Sequence, residues 1–190
     1  MDINYFNIIM NGIWKNHIIA DMKTKENVIS DIDTNNCELK YYNGSLQQFA
    51  SDLLSRGRGE GSVCRICEIL PAITEDMKSK GLELLSKDII VTQRQIFKYR
   101  KHPKTSKGAN IPMEDCSIIE SALKNPMHVY EDTVQKRLVY VCTHQYYDKR
   151  LVKVVVEPNY KSHGSVVNLA KSWGIVEKSK MNGIQYRLIQ

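Results

Sequence analysis

The sequence predicts an α+β protein: helices packed on a twisted antiparallel sheet in the second half of the chain, preceded by a small mixed α/β module. Three observations carry this. Runs rich in β-branched and aromatic residues crowd the chain after Val129. The connections between them are short, which favours an antiparallel meander. Two amphipathic segments with helix start and stop residues precede them, the order expected of an α+β domain. The 42% hydrophobic content of the 190 residues allows a packed core, in one domain or two small ones.

Residues 1–44 mix short apolar runs with Asn, Asp and Thr clusters, and Asn11-Gly12 and Asn43-Gly44 read as turns. Between them, 14–20 and 28–32 read as strands and 38–42 as a weaker one. Ser45 caps a helix with Leu46, Phe49, Ala50, Leu53 and Leu54 at helical spacing, stopping at Arg56-Gly57-Arg58-Gly59. The glycine-rich segment 56–61 suits a hinge and matches no phosphate-loop pattern. A helix over 71–85 follows, with Pro71 in its first turn and Gly81 weakening its end. After an apolar run at 88–91, Thr92 caps a helix through Arg100, which Pro103 ends. A basic loop over 104–112 leads to a helix over 113–123, broken at Asn125-Pro126. Strands are expected at 129–133, 138–143, 151–157, 166–169 and 185–189.

The net charge of +6 is unevenly placed. Residues 1–86 carry 9 Lys/Arg against 12 Asp/Glu, a net of −3; residues 87–190 carry 18 against 9, a net of +9. This divides the chain into an acidic module, 1–86, and a basic domain, 87–190, and points to a polyanionic partner for the second. Phosphates neutralised by such a face release counterions, which gives affinity without base contacts; a basic face kept for solubility is the alternative. No run of about 18 apolar residues occurs, so no membrane span is expected. The N-terminus has neither a positive n-region nor a small-residue cleavage site, so no signal peptide is read and a cytoplasmic location is expected. Five cysteines, an odd number, fit a reducing compartment. Cys64-x-x-Cys67 lacks the second pair that zinc would want, and reads as ordinary residues at a helix start.

Two segments could carry chemistry. In the apolar run over 151–157, alternation puts Leu151, Lys153, Val155 and Glu157 on one face and Val152, Val154 and Val156 on the other. Lys153 is then either a solvent-side lysine or a phosphate ligand in a basic groove. In Tyr99-Arg100-Lys101-His102-Pro103-Lys104, an imidazole sits among cations at a helix stop. Metal-independent RNA cleavage needs a base, an acid and cations for the charge growing on phosphate; His suits the first two and Lys or Arg the third. His102 is equally readable as a helix-terminal residue favoured by the dipole. His128, His144 and His163 are weaker candidates for a second acid or base, and Tyr140, Tyr146, Tyr147 and Tyr160 could stack on bases or pack the sheet.

With His102-Pro103, Asn125-Pro126, Val129-Tyr130-Glu131-Asp132, Leu138-Val139-Tyr140-Val141 and Lys153-Val154-Val155-Val156, residues 87–189 resemble the phage-borne nucleases of the barnase–EndoU–colicin–RelE superfamily. Members run helix, His-Pro segment, helix, P-x-x-V, then a meander of strands with a late Ser or Thr, matched here by Ser172. The resemblance implies an α+β ribonuclease fold without cofactor or metal, RNA (often tRNA) as substrate, and a toxin controlled by an antitoxin or immunity protein. It makes His102 the catalytic candidate, with Lys153 and Ser172 lining the phosphate site and Arg100 and Lys101 assisting. Arg94, Lys98, Lys104 and Tyr140 complete the expected RNA-binding set. A nucleic-acid-binding or inhibitor protein with this fold and no catalysis is the alternative. A third reading makes the acidic module an internal inhibitor that covers the basic groove, so that residues 87–190 alone would be more active or more toxic than the full chain.

Overall fold

In the computed structural model, which describes residues 39–56, 63–101, 109–144, 147–162 and 164–190, helix α1 (Leu46–Arg56) begins where Ser45 closes a capping box. Ser45 Oγ accepts from the Gln48 amide at 3.2 Å, and the Ser45 amide donates to Gln48 Oε1 at 3.0 Å. The strands expected over 14–20 and 28–32 lie outside the described residues. The weak one at 38–42 is reduced to an isolated parallel bridge, Tyr41 to Val63.

Strand β1 (Val63–Glu68) holds Cys64 and Cys67, which were expected at a helix start. Five of its six residues pair antiparallel with β2 (Asp88–Thr92), with Ile66 at a bulge, and tertiary pairing overrides the weak local signal. Between them, α2 (Pro71–Ser79) stops six residues short of its expected end. Gly81 takes φ +79°, and the Leu82 and Gly81 amides donate to the Met77 and Lys78 carbonyls at 3.0 Å each, a Schellman cap. Helix α3 (Gln93–Lys101) follows β2, with Thr92 Oγ1 accepting from the Gln95 amide at 3.4 Å. A 3-10 turn (Met113–Asp115) leads into α4 (Cys116–Lys124). Then come β3 (His128–Asp132), β4 (Arg137–His144), β5 (Tyr147–Ser162), β6 (Ser165–Glu177), a second 3-10 turn (Lys178–Met181) and β7 (Tyr186–Leu188).

The seven strands among the described residues form one sheet in the order β1-β2-β6-β5-β4-β3-β7. It is mixed rather than antiparallel, because β2 runs parallel to β6 (Ile89 opposite Asn168, Ile90 opposite Leu169). Ile89, Ile90 and Val91 are all buried, as a continuous apolar run on an interior strand should be. The β5–β6 hairpin outruns the expected strands because bulges absorb its irregular residues, Lys171 on β6 and Pro158-Asn159 on β5. Asn168, fully buried, donates to the Ser86 and Asp88 carbonyls at 2.8 and 3.1 Å and so ties this hairpin to the start of β2.

The four α-helices among the described residues cover one face. There Leu46, Phe49, Ile73, Met77, Ile96, Tyr99, Ile119 and Leu123 meet Val152, Val154, Val156 and Trp173. The opposite face carries two smaller apolar clusters: Val63, Ile90, Val167 and Leu169, and Val139, Val141, Leu151 and Met181. The described residues belong to one compact unit, Glu38–Gln190. The division expected between Ser86 and Lys87 therefore runs through a shared sheet and core: β1 and β2 lie on either side of it and are hydrogen-bonded to each other. Among the described residues no helix is long and apolar enough to cross a membrane.

Candidate functional site

Alternation along β5 places Val152, Val154 and Val156 in the core and turns Lys153, Val155 and Glu157 to the face opposite the described helices. Cross-strand register decides which neighbours join them. Lys153 lies opposite Gly174 and Val155 opposite Ser172 on β6; the Lys171 bulge puts Ser172 on this face while Ala170 and Trp173 stay in the core. Gly174 has no side chain, so space is left beside the lysine. The result is a cavity of about 220 Å³ lined by Lys153, Val155, Ser172, Trp173, Gly174, Ile175, Val176 and Ala109. It is smaller than the roughly 300–1,000 Å³ of pockets that enclose a whole ligand, and suits a single group.

Lys153 is held rather than free to wander. Its Nζ donates a 2.8 Å hydrogen bond to Tyr186 Oη, a neutral partner. The other charged residue on this face of the strand, Glu157, is four residues further on and is engaged by Lys171 and, at 3.8 Å, by Arg137. Lys153 thus lines the cavity, and among the described residues no carboxylate forms an ion pair with its ammonium. Such a cation with a nearby hydroxyl can hold an oxyanion.

The same face extends away from the cavity as an aromatic stripe. His128 lies opposite Val141, which lies opposite Lys153, so the imidazole shares Lys153's row two strands away, about 10 Å across the sheet. Tyr130 shares the next row, through Val139 and Val155, with Ser172. Ring centroids are 6.0 Å apart for His128 and Tyr130 and 6.4 Å for Tyr130 and Tyr186, both edge-to-face. The stripe thus runs from His128 through Tyr130 and Tyr186 to Lys153.

Of the residues singled out from the sequence, Lys153 and Ser172 come together. Arg94, Lys98, Arg100 and Lys101 do not join them. They are exposed on α3, whose buried Ile96 and Tyr99 pack on the helix side of the sheet, opposite the Lys153 face. His102 and Lys104 lie outside the described residues, as do His163 and Tyr146. Ala109 lines the cavity, and its carbonyl accepts from the Ile175 amide at 3.0 Å. Tyr140, expected to bind RNA, is instead 1% exposed and packs in the core, so no base reaches its ring, and burial pushes its hydroxyl pKa well up.

Nothing in the sequence pattern singles out Tyr130 or Tyr186, and His128 is among its weaker candidates. The only signal is their odd-even spacing from core residues such as Val129, and which strand faces which is a matter of register that spacing alone leaves open. Cys64 and Cys67 are not poised for chemistry: burial pushes both thiols up to about 11. Among the described residues no three His, Cys, Asp or Glu side chains cluster as a metal site. Comparison with protein-family models, curated proteins and solved structures finds no match for the chain.

Proposed function

We propose that this chain is a metal-independent endoribonuclease whose scissile phosphate sits in the cavity at Lys153 and Ser172. The observation that carries the reading is the Lys153 ammonium, fixed by a phenol rather than neutralised by a carboxylate, in one cavity with a hydroxyl. In the reaction the ribose 2′-oxygen attacks phosphorus as a base removes its proton. The bond to the 5′-oxygen breaks as an acid protonates it, leaving a 2′,3′-cyclic phosphate and a 5′-hydroxyl. Lys153 stabilises the charge growing on the non-bridging oxygens and Ser172 donates to them. His102, from the His-Pro segment that the nucleases share, is the acid or base. The unit 38–190, with 24 Lys/Arg against 16 Asp/Glu, supplies the long-range attraction for a polyanion. The four described cysteines are free thiols, in keeping with action in a reducing cytoplasm. By the same resemblance the substrate is RNA such as tRNA, and an antitoxin or immunity protein would restrain the activity.

Expression in a host cell is the test. Growth arrest with tRNA breakdown by the wild type, relieved by His102→Ala and by Lys153→Ala, supports the reading; unchanged growth and intact RNA oppose it. A second reading, binding without catalysis, is favoured by one observation: Lys153 is the one titratable side chain among the described residues lining the cavity. Salt-dependent RNA binding without product would select it.

A further inference from the structure

Tyr130 and Tyr186 are half-buried: each ring is anchored in the apolar cluster of Val139, Val141, Leu151 and Met181 while keeping part of its surface open. They sit on the face of the phosphate cavity and reach it without a break, since Tyr186 Oη is itself the partner of Lys153 Nζ. Fixed aromatic rings beside a cation are what a protein needs to bind bases that are free to splay out of a stack. A duplex keeps its bases stacked and paired, and offers such a stripe only its backbone.

We infer that the Tyr130–Tyr186 stripe, with His128 at its far end, is a stacking platform for unpaired bases flanking the phosphate held at Lys153, so that the site selects single-stranded nucleic acid. The inference rests on the proposed phosphate site but needs no cleavage. Tyr130 offers its ring from the strand next to β4, and Tyr186 from the edge strand β7, which pairs with β3 (Asp132 opposite Tyr186). Both come from backbone fixed in the sheet, so little ordering is left to be done on binding.

The experiment measures binding of the full chain to three fluorescein-labelled probes of equal length and charge per strand. They are a 2′-O-methyl oligouridine, which cannot be cleaved by 2′-oxygen attack, its abasic counterpart, and the oligouridine annealed to its complement. The inference predicts binding to the oligouridine at least about fivefold tighter than to the abasic strand, the lower end for one stacked base, and tighter than to the duplex. It also predicts that Tyr130→Ala abolishes this preference while abasic binding persists, and that Tyr130→Phe, which keeps the ring, retains it. Equal binding of oligouridine and abasic strand by the wild type overturns it, as does a preference undiminished in Tyr130→Ala, or no binding of any probe. Base-dependent binding by a chain that leaves RNA intact would sink the nuclease reading and leave this one standing; cleavage without base preference would do the reverse.

Discussion

At the scale of single residues, the acid–base behaviour of Asp76 gives a test independent of function. Its carboxyl is held below the ordinary value by hydrogen bonds from Arg187 at 2.6 and 3.0 Å. The folded state therefore binds fewer protons than the unfolded one around and below the ordinary Asp value of about 3.9. The stability this adds is full at neutral pH and is lost as pH falls below about 4. Chemical denaturation at pH 3 and pH 6 should show a smaller difference for Asp76→Asn than for the wild type. The facing of Lys153 was legible from Leu151 to Glu157, since alternation alone puts the lysine on the face opposite three valines. What it would meet there was not: Ser172, Gly174 and Tyr186 arrive through register, a bulge and an edge strand, none of which leaves a mark at the positions concerned.

At the scale of elements, the three-residue strand β7 is too short to hold itself in place. Arg187 fastens it twice, with the Asp76 contact to α2 and a 2.9 Å hydrogen bond to Glu131 on β3. Glu131 is 6% exposed, so removing Arg187 leaves a buried carboxylate whose remaining described cation is Lys136 at 3.8 Å. Arg187→Ala should cost about 1–3 kcal/mol in denaturant unfolding, and should loosen Tyr186, weakening the hold on Lys153. Helix starts were readable from Ser45 and Thr92, because capping is local chemistry. β1 was not, because Val63–Glu68 is a strand only through its pairing with β2. The long β5–β6 hairpin was cut short by Pro158 and Asn159, which a bulge accommodates.

At the scale of the molecule, the charge step between residues 86 and 87 is real in the sequence and does not coincide with a boundary in the sheet. Leu46, Phe49, Val63, Cys64, Ile73 and Met77, all at most 1% exposed, come from before it. Residues 87–190 alone should therefore fail to fold, with no cooperative thermal transition, while 38–190 should melt cooperatively. This contradicts the expectation that the shorter piece is the more active one. Charge composition reports on what the surface meets, whereas the domain follows from which apolar faces need one another.

The central claim is that Lys153 serves phosphodiester chemistry on RNA. The most direct measurement is end-group analysis of total tRNA incubated with the pure protein in excess EDTA. Fragments ending in 2′,3′-cyclic phosphate and 5′-hydroxyl are predicted for the wild type, forming about 100-fold more slowly with Lys153→Ala. RNA that stays intact at high protein concentration, or cleavage undiminished in Lys153→Ala, would contradict it.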